Sequence, residues 1–193
     1  MSNSARGFSY AVLADAHALV ELIRSAYRGD VSRQGWASEA DLVAGDRIDE
    51  SGVRDLITAP GSTLLVLRDG TDMVACCQLE HRGEGLVYFG TFAVAPRAQA
   101  RGVGRRLMAE AERVAKTKFT ACTLEMTVLA QRDRLIGYYE HRGFHRTGET
   151  RPFPADPVFA RPLRRPSPVL TSWLPQPVHG HRSFAVNGLT TVL

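Results

Sequence analysis

Midway along the chain an apolar stretch ending at Pro96 runs into Gln99-Ala100-Arg101-Gly102-Val103-Gly104-Arg105-Arg106. The residues that follow carry Leu107, Met108, Ala111, Val114 and Ala115 on one helical face. A strand, a glycine turn and an amphipathic helix, in that order, confine the chain to folds in which helices pack on a sheet. Glycines let the backbone turn tightly and let a ligand approach with no Cβ in the way. The first N–H groups of a helix have no internal partners and its dipole adds partial positive charge, so such a turn suits a phosphate or pyrophosphate. Arg101, Arg105 and Arg106 add formal charge beside it. A P-loop needs Gly-x4-Gly-Lys-Ser/Thr, which is absent, and the dinucleotide fingerprint needs a third glycine where Leu107 stands. Read on these residues alone, a glycine turn with a purely structural role is the open alternative.

The flanking pattern extends the α/β reading. Strands are predicted over 9–12, 63–67, 73–79, 86–94, 122–129 and 144–147, with a hairpin at Asp69-Gly70. Helices are predicted from Asp15, as N-cap, to Gly29, and over 53–58, 104–118 and 132–142. Residues 30–52 show little periodicity. The order implies a mixed sheet with helices on its faces.

Charge divides the chain in two. Residues 1–150 hold 19 basic and 19 acidic side chains, while the rest hold five Arg against Asp156 alone, together with eight of the ten prolines. A balanced body with a basic tail lacks the basic face of a nucleic-acid binder. No apolar run reaches the roughly 18 residues of a membrane span, and no apolar leader follows Met1, so a cytoplasmic protein without a membrane partner is expected. Cys76, Cys77 and Cys122 lie in apolar runs and read as buried thiols, and no spacing fits a metal site. The natural division is residues 1–150 as one domain and 151–193 as a Pro/Arg-rich tail. Within that tail, 169–174 is the candidate closing strand for the exposed edge of the 144–147 strand.

Two separated motifs point further. Gln99-x-x-Gly102-x-Gly104, after Phe92-Ala93-Val94-Ala95-Pro96, resembles the acetyl-CoA loop of the GCN5-related N-acetyltransferase (GNAT) family. Tyr138-Tyr139-Glu140-His141-Arg142-Gly143-Phe144 is similar to that family's aromatic-Tyr-Glu-Lys-x-Gly-Phe segment. Gly35-Trp36-Ala37-Ser38-Glu39 and residues 126–134 resemble a bacterial subgroup with mostly unassigned acceptors. The resemblance covers roughly residues 8–150.

It implies a twisted mixed sheet whose central parallel strands, 86–94 and 122–129, splay apart to admit acetyl-CoA. Backbone groups of Phe92, Ala93 and Val94 would pair with the pantetheine arm as an added strand does. The N–H groups of Arg101, Gly102, Val103, Gly104 and Arg105 would hold the pyrophosphate, with Gln99 fixing the loop. Tyr139 falls where relatives place a general acid near the leaving thiolate, and Tyr138 would be its core partner. The implied reaction is transfer of an acetyl group to a primary amine by direct attack, on a small-molecule or peptide acceptor, without a metal. A homodimer is compatible with the pattern. The alternative is a non-catalytic acyl-CoA-binding or regulatory module on the same fold.

The base that would free the amine's lone pair is unassigned. Tyr88 occupies the strand position where a Glu would help, and Glu80, Glu84 and Glu125 are the other candidates. Tyr27 and Trp36 would border an acceptor pocket if residues 30–52 form its wall. His81, His141 and His145 read as surface residues. The tail is expected to serve stability or assembly and to supply nothing to the chemistry.

Overall fold

The computed structural model describes residues 6–153, 158–163 and 169–175. The edge strand β1 (Arg6–Tyr10) leads through a 3-10 turn into α1 (Ala16–Tyr27). Ala16, Leu19, Val20, Leu22, Ile23, Ala26 and Tyr27 recur at helical spacing and are all buried, so one face of α1 is committed to the sheet. Asp15 does not cap this helix. Its carboxylate accepts from the Val12 N–H and from Arg68, tying the preceding turn to a strand instead.

The segment with little periodicity forms the short α2 (Gly29–Ser32) and β2 (Val43–Ala44). Helix α3 (Glu50–Thr58) begins three residues earlier than predicted, because Asp49 accepts from the Gly52 N–H as its N-cap. Strands β3 (Ser62–Asp69) and β4 (Asp72–Gly83) make the expected hairpin, and β5 (Leu86–Val94) lies antiparallel to β4. Helix α4 (Val103–Phe119) follows the glycine turn.

The strand predicted over 122–129 is divided at Met126 into β6 (Thr123–Glu125) and β7 (Thr127–Leu129), because its two halves have different partners. β6 runs parallel to β5 for three positions, Leu86↔Thr123 to Tyr88↔Glu125. β7 leaves β5 and pairs with β10 (Val169–Pro175), which also pairs with β8 (Phe144–Arg151). Between β7 and β8 runs α5 (Asp133–Glu140), and β9 (Arg161–Pro162) closes on β2. The result is a five-stranded sheet β1-β3-β4-β5-β6 beside a three-stranded sheet β7-β10-β8.

Helices cover both faces of the larger sheet. Cys76 and Cys77 are neighbours on β4 and both are fully buried, one beneath the α1 side near Tyr27 and the other near Glu110 of α4. Two faces are therefore dry, where the sequence pattern required only one. Burial pushes the Cys76 thiol up to about 12 and Cys77 well above the ordinary range, so neither supplies a thiolate. Among the described residues, no helix is long and apolar enough to cross a membrane.

Candidate active site

Above Tyr88 the two sheets part and β5 loses its neighbour on one side. A bulge marks the place: the β4–β5 register shifts between Cys76↔Ala93 and Gln78↔Gly90. Thr91 sits there with φ +45°, a conformation that a β-branched residue adopts only when its surroundings impose it. Bulges bend and twist the strand that carries them, so this one turns the upper half of β5 along the opening.

Ladder phase decides which backbone groups of β5 meet the gap. Ala95 N–H bonds to Val74 O, and Ala93 lies opposite Cys76. The alternation of an antiparallel pair therefore turns Phe92 and Val94 toward the opening and Ala93 toward β4. Of the three residues expected to pair with a pantetheine arm, Phe92 and Val94 are so disposed, and Ala93 is fully buried with its backbone directed to β4. The two carbonyls at the gap already hold one protein donor each. Tyr27 donates its hydroxyl to Phe92 O at 2.6 Å, and Gln99 donates its Nε2 to Val94 O at 3.0 Å.

Gln99 also accepts from the Trp36 N–H at 3.0 Å, so one side chain joins the end of β5, the glycine turn and the loop after α2. Gly35 makes this clamp possible, since a Cβ there would lie 2.5 Å from the Gln99 Oε1. In the turn itself, Ala100 and Gly102 have left-handed backbones. Arg106 N–H makes the first helical bond, to Gly102 O, so the N–H groups of Val103, Gly104 and Arg105 precede the α4 ladder. Gly102 is needed for conformation and Gly104 for room: a Cβ on Gly104 would lie 3.2 Å from the Tyr138 hydroxyl and 3.4 Å from the Phe92 ring. Arg101 and Arg105 are exposed at the turn, whereas Arg106 places its guanidinium over Phe8 and does not join them.

Two cavities open from the gap. The smaller, about 230 Å³, is lined by the turn and by Trp36, Tyr138 and Arg142, whose guanidinium lies 3.6 Å above the Tyr138 ring. The larger, about 500 Å³, reaches between α1, α3, β5 and the β7–α5 turn. Tyr139 lines both. It is 4% exposed, held edge-on by Tyr138 and Phe144, and burial pushes its phenol well above the ordinary value, so it stays protonated. Among the described residues no protein group accepts from its hydroxyl. Tyr139 is the deeply buried ring of the pair, and Tyr138 is half-buried, packed against the core at the mouth of the smaller cavity.

Other expectations move as well. Tyr27 borders both cavities, but Trp36 belongs to the smaller one. Tyr88 lines the larger cavity as a phenol that burial raises above its ordinary value. Glu80, Glu84 and Glu125 line neither cavity. Glu80 pairs with Arg82, and Glu84 sits in an exposed turn. His81, His141 and His145 are exposed. The tail does contribute: Phe153, just after β8, lines the larger cavity, as do Phe159 and Ala160, which the β2–β9 pairing brings there.

The residues to which sequence reading gave no role form one cluster. Glu39 accepts from Arg28 at 2.7 Å, Arg132 at 2.9 Å and Arg47 at 3.0 Å. Burial pushes the Glu39 carboxyl up, and the guanidiniums of Arg47, Arg132 and Arg28 more than reverse this, holding it at about 2. These residues lie at positions 28, 39, 47 and 132, so no spacing rule could join them.

Residues 17–144 match the acetyltransferase (GNAT) family, and the chain belongs to it. It is an acetyl-CoA-dependent N-acetyltransferase. No curated protein matches the sequence. The fold is similar to the ribosomal-protein-S18-alanine N-acetyltransferase of Escherichia coli, with a TM-score of 0.66, 16% identity, and coverage of 94% of this chain and 100% of that one. It is similar also to YncA of Salmonella typhimurium, solved with its cofactor acetyl-CoA (TM-score 0.64, 16% identity, 95% and 100% covered). A third likeness is to the PaiA N-acetyltransferase of Thermoplasma acidophilum in complex with coenzyme A (TM-score 0.59, 12% identity, 88% and 97% covered).

Proposed function

We propose that this enzyme transfers the acetyl group to a primary amine by direct attack, with the thioester at the junction of the two cavities and the amine in the larger one. The observation that carries this reading is the position of Tyr139, whose unclaimed, protonated hydroxyl borders both cavities where β5 and β7 part. Acetyl-CoA supplies an activated carbonyl and a thiolate leaving group.

The chain's own groups fit the rest of that substrate. The Phe92 and Val94 edge of β5 offers backbone pairing to a pantetheine arm. Gln99 holds the turn, and the N–H groups of Arg101 to Arg105 face a pyrophosphate, with Arg105 and Arg142 adding charge. As the C–N bond forms and the C–S bond breaks, Tyr139 donates its proton toward the sulfur. The phenolate regains a proton from the nitrogen, which must lose one to become an amide. A phenol raised by burial is a weak acid, so its main contribution is a hydrogen bond to charge developing on sulfur.

Direct attack is supported by the lining: among the described residues no cysteine or serine borders the larger cavity. Initial rates with acetyl-CoA and amine acceptors, read by thiol release, test the reading. Intersecting double-reciprocal lines are expected. Parallel lines would indicate an acetyl-enzyme and overturn direct attack, and acetyl-CoA binding with no release for any amine would overturn the amine acceptor.

A further inference from the structure

The larger cavity has a charged wall that the transfer chemistry above leaves unused. Arg28, Arg47 and Arg132 all form ion pairs with Glu39, and among the described residues none of the three has another carboxylate within ion-pair distance. One carboxylate balances one guanidinium, so two positive charges are in surplus. The side chains of Glu39, Arg28 and Arg132 are each at least nine-tenths buried, where unbalanced charge is costly. The Arg28 Nε is buried without a hydrogen-bond partner. Asp49 and Asp55 also border the cavity, from the N-cap and body of α3, and neither lies within ion-pair distance of the three guanidiniums. Asp49 is engaged as the α3 cap, and Asp55 is exposed.

Arg47 is the member open to the cavity, with its side chain 26% exposed. Its guanidinium carbon lies 3.9 Å from the centre of the Tyr27 ring, and that ring's hydroxyl bonds Phe92 O. The cation thus stands one phenol away from the β5 edge assigned to the pantetheine arm. Its backbone is left-handed, φ +64°, and is pinned by Arg47 N–H to Phe159 O at 3.0 Å. One N–H of the guanidinium goes to Glu39, and the remaining fork suits a planar, bidentate anion. The facing walls are apolar, with Ile23, Leu56, Met126 and Phe153.

We propose that the acceptor is an amine with a carboxylate a few bonds away, a free α-amino acid with an apolar side chain, and that Arg47 binds the carboxylate. The proposal rests on the larger cavity being the acceptor site. A carboxylate there balances one of the two surplus charges. The charge that remains disfavours an ammonium ion beside it, which holds the bound amine in the neutral form that attack requires.

Phenylalanine against phenethylamine, and leucine against isopentylamine, isolate the carboxylate. Each pair is compared for binding to the protein saturated with coenzyme A, by calorimetry, and for thiol release from acetyl-CoA. Each amino acid should bind about 10–100-fold more tightly than its amine, the range a charge-assisted pair supplies. Arg47→Gln should abolish that difference, and if this variant does not fold, the wild-type pairs decide by themselves. Equal binding within each pair, or no binding of the amino acids, overturns the proposal. If the amino acids bind through Arg47 without releasing thiol, the carboxylate site stands and the transfer reading falls. If the amines are acetylated as well as the amino acids, the transfer reading stands and the carboxylate site falls.

Discussion

The smaller cavity takes its glycine turn and strand end from one stretch of chain, residues 94–105, whereas the larger takes walls from α1, residues 39–52, β5, residues 126–132 and Phe153, Phe159 and Ala160. The first is a backbone device, in which left-handed residues and early helix N–H groups form the turn at the head of α4. The second is a side-chain device, in which four charged groups from distant positions meet around one buried carboxylate. Local geometry needs few residues and constrains them tightly. A charge cluster needs only that its parts arrive together, which is the work of the whole fold. The two sites should therefore fail separately when altered.

The largest effect should come from removing what holds the cavities apart. β7 parts from β5 because it pairs with β10, so truncation after Pro166 removes the partner that sustains the gap and bares the edge of β8. A poorly soluble or thermally weakened protein with impaired acetyl-CoA binding is expected, by thermal melting and size-exclusion chromatography. Truncation after Gln176, which keeps every described residue, should melt like the full chain. If the shorter chain does so too, β10 has no structural role.

Next in size is Glu39→Gln, which leaves three guanidiniums without their counter-ion. Removing one partner of a buried ionic group costs about 3–5 kcal/mol, measurable by denaturant unfolding. The acid side offers a second reading of the same cluster. A carboxyl at about 2 in the folded chain, against 4.5 ordinarily, stabilises fully above pH 4.5 and loses that contribution as pH falls toward 2. The amount is on the order of 3 kcal/mol. Glu39→Gln should lack this part of the acid transition. A wild-type-like loss of stability in the variant would remove Glu39 as its source.

Tyr139→Phe should lower turnover by roughly 10–1000-fold while acetyl-CoA binding stays within about twofold, since a phenol donor is replaceable in part by water. Equal turnover would reduce Tyr139 to a packing residue between the cavities. The smallest effect, and the one confined to the turn, is that of Gly104→Glu. It brings a carboxylate and a Cβ against Tyr138 and Phe92, so affinity for acetyl-CoA should fall at least about tenfold, ~1.4 kcal/mol. Denaturant stability should be close to that of the parent. Unchanged affinity in the folded variant would move the cofactor site away from the turn.

Legibility in the sequence follows the same division. The Gln99–Arg105 turn and the Tyr138-Tyr139 pair could be singled out because each is a short run with its own spacing. The fold of residues 30–52, where only the Gly35–Glu39 run stood out, could not be read, for they lack period: the segment gains order from Glu39, from the Gln99 clamp on Trp36 and from β2 pairing with β9. Asp15 was a sound cap by residue type, yet Arg68, 53 positions away, holds its carboxylate elsewhere. The tail read as accessory because its own composition carries no motif, and Phe159 and Ala160 reach the larger cavity through contacts of residues 158–163 with residues 42–47.

What the amino-acid sequence determined by itself is the order of the longer helices and strands, the balanced charge of the body, and a glycine turn at the head of a helix. Those follow from periodicity and from glycine's freedom, which act over a few residues. The tertiary structure alone decided where β6 ends and β7 begins, which of two adjacent tyrosines is buried, and that three arginines share one glutamate. Each of these depends on which distant segment lies alongside, and side chains more than 90 positions apart interact only once the fold has brought them within reach.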